Sequence, residues 1–243
     1  MSNPAARLHS ILQKAFIGGQ HVAGGLMIEG WKEVLGIAQS IDDLTVMSKI
    51  SRVMALPHAI EREMARFPDI DVELYLGWKP DLAKAFRAVG FNNAFGDFKN
   101  QLSSSLLVNI RHCANELERR LPEKEIADSE LAEIRQAAEA LYDEVLVANL
   151  PAPLSRFLLD RLWLLIQALD HYEITGAPGV QYALDAVVGA VITVPEVAQE
   201  AGDTKSGQKF WGLMGKVAVA LKVAKSFAEL IDTARKCLPG NGG

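Results

Sequence analysis

The stretch SELAEIRQAAEALYDEVLVAN, Ser129–Asn149, decides the fold class. Its apolar residues fall at Leu131, Ile134, Ala138, Leu141, Val145 and Ala148. The spacing alternates three and four, so they form one stripe along a helix. Glu130, Glu133, Glu139, Asp143 and Glu144 lie off that stripe. Asp128 is the expected N-cap, because its carboxylate can accept from the first free backbone N–H groups. Pro151 ends the pattern.

The segments on either side repeat this logic. Downstream, Pro153 to about Thr175 carries Leu158, Leu159, Leu162, Trp163, Leu164, Leu165 and Ile166 on every side. A helix that is apolar all round belongs in the middle of a bundle. Gly176 supplies a left-handed residue to close it, and Pro178 opens the next helix, Gly179–Thr193. The β-branched residues Val187, Val188, Val191, Ile192 and Val194 also suit a buried strand. Tyr182, Ala183, Leu184 and Ala186 precede them without a turn signal, and this favours the helix. Glu196–Lys209 is polar with two glycines and reads as a loop. A last long helix is expected from about Gly207 to Cys237, followed by a frayed tail.

Upstream, Gln101–Leu121 places Leu102, Leu106, Ile110, Cys113, Leu117 and Leu121 on one face. The first hundred residues are choppier. Helices are expected near Ala5–Ile17, Leu26–Gln39, Asp43–Ala55, Pro57–Phe67 and Pro80–Val89, and a short strand at Asp71–Trp78. The expected architecture is all-α: an irregular multi-helix bundle of about eight to ten helices. Its central apolar helix lies near 153–175, and a long basic amphipathic helix closes the chain. It is read as a single helical domain, 1–243, with a weak subdivision into an irregular part, 1–95, and a bundle, 96–243.

Composition narrows the function classes. Of 243 residues, 49% are hydrophobic and 23% charged, the balance of a globular chain. A formal charge of −5 argues against a surface broadly coated by nucleic acid. Cys113 and Cys237 provide neither a disulfide framework nor a zinc set, and both read as reduced thiols. The glycines, Gln20 and His21 between Ala15 and Ile28 make a poor secretory leader. The expected location is therefore the cytoplasm.

Few residues suggest catalysis. Arg52 and His58 stand six apart. This spacing resembles the Arg-x4-6-His motif of the HEPN ribonucleases, a helical family. The resemblance covers these two residues. It implies a pair at a dimer interface, with the histidine acting on the RNA 2′-hydroxyl and the arginine on the phosphate. Pro57 and Val53 depart from that pattern. His58 and Glu61 sit three apart, a spacing that can place two metal ligands on one helix face, but no second set accompanies them. His112 and Cys113 are adjacent and point to different faces. Nucleophile elbows and phosphate loops are absent from the sequence. Gly212–Lys216 lacks the strand before it and the Ser or Thr after it. No cofactor or metal is expected.

The C-terminal segment is the most unusual. Between Lys205 and Lys236 it holds seven basic and two acidic residues, on a chain whose total is −5. Leu213, Val217, Leu221, Ala224, Ala228 and Ile231 form an apolar face, with Phe210 and Trp211 at its start. Lys209, Phe210, Trp211, Lys216, Lys222 and Lys225 are the candidate partner-binding residues. Such a helix suits an anionic membrane surface, equally an acidic partner or nucleic acid, or an apolar seat on this chain's own acidic bundle. The terminal glycines invite comparison with ubiquitin-like modifiers, but no β-grasp pattern precedes them. The leading expectation is a non-catalytic helical interaction protein, a subunit of a larger bacterial assembly. Its partner would be another protein or a second copy. The alternatives are a membrane-associating effector using 205–236, and a helical ribonuclease using Arg52 and His58; nucleic acid is otherwise not an expected partner.

Overall fold

The computed structural model describes residues 3–18, 25–90 and 92–236, with side chains through residue 232. Every regular element among them is helical, as the periodicity predicts. The helices outnumber the eight to ten expected. Cys237 and the terminal tail lie outside the described residues, as does most of the glycine-rich patch near the N-terminus. The chain divides into two compact units, Met1–Glu123 and Lys124–Gly243.

The first unit holds α1 (Pro4–Ile17), α2 (Met27–Val34), α3 (Asp43–Met64), α4 (Val72–Tyr75), α5 (Lys79–Arg87), α6 (Phe95–Lys99) and α7 (Ser104–Arg120). Helix α1 packs on α7, α3 and α2. Its buried side chains, Leu8, Ile11, Leu12 and Ala15, follow the three-four spacing of a core-facing helix. Asn3 caps it by accepting from the Ala6 N–H at 3.0 Å. Trp31, Phe86, Phe95 and Phe98 form an aromatic cluster. Gly30 makes it possible: a Cβ there would lie 2.1 Å from the Phe95 ring.

Two expectations fail here. Within Asp71–Trp78 the chain forms the one-turn helix α4, with Asp71 capping it through a 3.1 Å bond from the Leu74 N–H. A lone strand would have had no ladder partner, whereas the cap satisfies the backbone at once. Pro57 does not start a helix but lies inside α3. An interior proline removes a backbone hydrogen bond at about 3 kcal/mol. Val46, Ile50, Val53, Leu56, Ile60 and Met64, buried along one side, offset that loss.

The second unit holds α8 (Asp128–Val147), α9 (Ala152–Asp170), α10 (Tyr172–Thr193), α11 (Pro195–Asp203), α12 (Lys205–Ala220) and α13 (Ala224–Lys236). Helix α9 is central, touching α8, α10 and α11. Ile134, Ala138, Leu141 and Val145 of α8 join the core as the periodicity requires. The N-cap of α8 is Ala127, one residue before the expected Asp128, which instead begins the first turn. Helix α9 ends at Asp170, and the kink at Gly176 (φ 64°, ψ −164°) falls inside α10. That backbone region is open essentially to glycine alone.

The polar stretch expected as a loop is helix α11 plus the first turn of α12. Pro195 and Glu196 open α11, and Thr204 caps α12 through a 3.1 Å bond from the Gly207 N–H. The expected single C-terminal helix is two. After Ala220 the chain turns at Lys222, φ 58°. The Lys222 and Val223 N–H groups return to Val219 and Ala218 carbonyls, both at 2.8 Å. This is the Schellman ending, with lysine in the position glycine usually fills.

Candidate functional site

Arg52 and His58 are both exposed on α3. Six helical steps separate them by about 9 Å along the axis and by about 120° around it. The fold of this chain therefore does not join them on one face. His58 instead faces Glu61, 3.6 Å away, which also accepts from Lys79 at 2.7 Å. The Lys79 hydrogen bond is the main cause that holds Glu61 below the usual glutamate range, with His58 adding to it. Among the described residues, no three His, Cys, Asp or Glu side chains are grouped to hold a metal ion.

The basic C-terminal candidates separate into three kinds. Phe210 is fully buried, edge-on to Phe157 and Trp211 at 6.0 and 5.1 Å. It belongs to the core, so its assignment to a binding surface is corrected. The face that the sequence presents as an amphipathic stripe is the one α12 turns onto α8 and α11, where Leu213, Val217 and Leu221 are also buried. Lys209 is exposed and paired with Glu144, whose carboxyl its hydrogen bond holds below the usual range. Lys216, Lys222 and Lys225 are exposed, and Trp211 is half-buried. Lys225 has Glu229 at 3.9 Å, one helical turn on.

A surface that the sequence pattern does not single out lies on α9. Leu154, Leu158, Leu162, Leu165 and Leu169 face the core. Beside that face stand Leu159, Trp163 and Ile166, one and two turns apart, and of these Leu159 and Ile166 pack against the core. Leu159 and Ile166 are half-buried, while Trp163 is 54% exposed. Trp163 shares the exposed face of α9 with Arg156 and Asp160. Arg156 and Asp160 lie 3.7 Å apart, and Asp170 receives Arg135 of α8 at 2.8 Å. Helix α10 also exposes two apolar side chains, Tyr182 at 69% and Ile192 at 64%. An all-apolar helix reads from sequence as fully enclosed. Here α9 opens to solvent at Arg156, Asp160 and Trp163, and periodicity cannot tell those two cases apart.

Among the described residues no single helix is long and apolar enough to cross a membrane. Helices α10 and α11 together have the length and composition, but they are bent by 104°. No protein-family model, no curated protein and no solved structure matches the chain. The residues themselves therefore carry the functional reading.

Proposed function

We propose that this chain is a helical interaction protein, a subunit of a larger assembly, and that the exposed face of α9 around Trp163 is the one that docks. The partner is another protein or a second copy of the chain. The observation that carries this is Trp163, half in water on a helix whose other side is core. Its exposed part is on the order of 100 Å², and covering it is worth about 2–3 kcal/mol at about 25 cal/mol per Å². A surface ion pair such as Lys209–Glu144 contributes about 0–1 kcal/mol. Tryptophan is also among the residues enriched at interface centres. The indole thus outweighs the lysines as a binding determinant.

The membrane reading has less support. The aromatic anchor it places at Phe210 is enclosed, and two of its lysines already face carboxylates. The test is affinity capture of tagged protein from its native cells. Wild type should retain a stoichiometric partner or an untagged second copy, and Trp163→Ala, with unchanged circular dichroism and melting, should lose it. Equal retention by both removes the reading.

A further inference from the structure

The first unit has a groove of about 620 Å³ between the α4–α5 turn and α7, within the roughly 300–1,000 Å³ of small-ligand sites. One wall is α7, which contributes Asn109, His112 and Asn115, then Glu116 and Arg119. The other is apolar: Leu74, 76% exposed, beside Tyr75 and the buried Trp78.

Cys113 holds the two walls together. Its sulfur accepts from the Trp78 indole N–H at 3.4 Å, and its S–H donates to the Tyr75 carbonyl at 3.3 Å. One end of the α7 wall is electrically closed. Glu116 accepts from Arg119 at 2.7 and 3.3 Å and from Arg120, which is also paired with both Asp69 oxygens at 2.8 and 2.6 Å. The rest of the wall is the reverse. Asn109, His112 and Asn115 are exposed, and among the described residues nothing pairs with their side chains.

We infer that this groove binds an extended, uncharged peptide segment carrying one apolar side chain. An asparagine amide both donates and accepts, so it matches the peptide group on both counts. The wall from Asn109 to Arg119 is about 15 Å long, which spans about four to five extended residues. Leu74 and Tyr75 form the seat for the apolar side chain. Nucleic acid is disfavoured because Glu116 already neutralises the Arg119 guanidinium, and backbone phosphates need available cations. This site is independent of Trp163 on α9, which belongs to the other unit.

The test is selection of a random dodecapeptide phage library on the full chain. The enriched peptide is then synthesised and its affinity measured. The expected sequences share one apolar residue flanked by uncharged ones. Binding should weaken by about ten-fold or more in Asn109→Ala/His112→Ala and in Leu74→Ser, and stay unchanged in Lys216→Ala and Trp163→Ala. No enrichment over bare matrix overturns the inference, as does binding that ignores the groove substitutions. Tighter groove-dependent binding of labelled poly(U) than of any peptide overturns it in favour of RNA.

Discussion

The Arg7 guanidinium grips the Glu123 carboxylate across 116 residues of chain, Nη1 to Oε2 at 2.5 Å and Nη2 to Oε1 at 3.4 Å. The Arg7 side chain is 4% exposed and that of Glu123 17%. Beside it Asn3 donates to the Ala114 carbonyl at 3.0 Å and to Glu118 at 3.2 Å. The start of α1 is thereby pinned to α7 and the segment after it. Removing one member of a buried ion pair strands the other charge, at about 3–5 kcal/mol. Arg7→Ala should lose at least about 3 kcal/mol in urea unfolding. A loss below about 1 kcal/mol, the range of exposed pairs, would show the pair to be solvated.

The same carboxylate sets a pH signature. Burial pushes Glu123 above the usual glutamate range, and Arg7 opposes this only in part. A carboxyl whose folded pKa is raised stabilises the fold below its unfolded pKa. That contribution is lost as pH rises through the folded value. Wild type should therefore be most favoured over Glu123→Gln at low pH, with the gap narrowing as pH climbs above about 4.5, the ordinary value. Denaturation curves across that window check it. A gap that widens with pH would mean that the ion pair outweighs the burial.

Two glycines of α10 should respond in opposite directions. Gly176 holds φ 64°, where any side chain is strained, so Gly176→Ala should destabilise by about 1 kcal/mol or more. Gly189 lies in the helix without such a φ, and an added methyl meets nothing within 4 Å. Gly189→Ala should stabilise by about 0.5–1 kcal/mol. Thermal melts of both variants decide this, and a shift of the same sign in both would contradict the kink.

Phe210 tests the placement of α12. As a fully buried ring against Phe157, it should cost about 3–5 kcal/mol on truncation to alanine. A surface residue would change stability by less than about 0.5 kcal/mol. Urea unfolding of Phe210→Ala separates the two outcomes.

Much of the helical frame was legible, because the seams of α7 and α8 are written in three-four spacing. Leu106, Ile110, Cys113 and Leu117 are buried as that spacing requires. Breaks set by backbone geometry were not legible. Lys222 ends α12 in a left-handed turn that carries no glycine to announce it. Signals for α11 and α12 were present in Pro195, Glu196 and Thr204, but polar composition masked them. The exposure of Trp163 on α9 was hidden for another reason. Leu159, Trp163 and Ile166 match the buried side of the same helix in hydrophobicity, and only the number of neighbouring helices distinguishes the faces. The groove of the first unit depends on α4, which alternation presented as a strand.

Site-specific photo-crosslinking in native cells tests the interaction surface most directly. With p-benzoylphenylalanine in place of Trp163, irradiation should give a discrete adduct, with another protein or with a second copy. The same probe at the exposed Glu139 of α8 should give none. No adduct at 163, or the same pattern from both positions, would contradict the reading of α9 as a docking face.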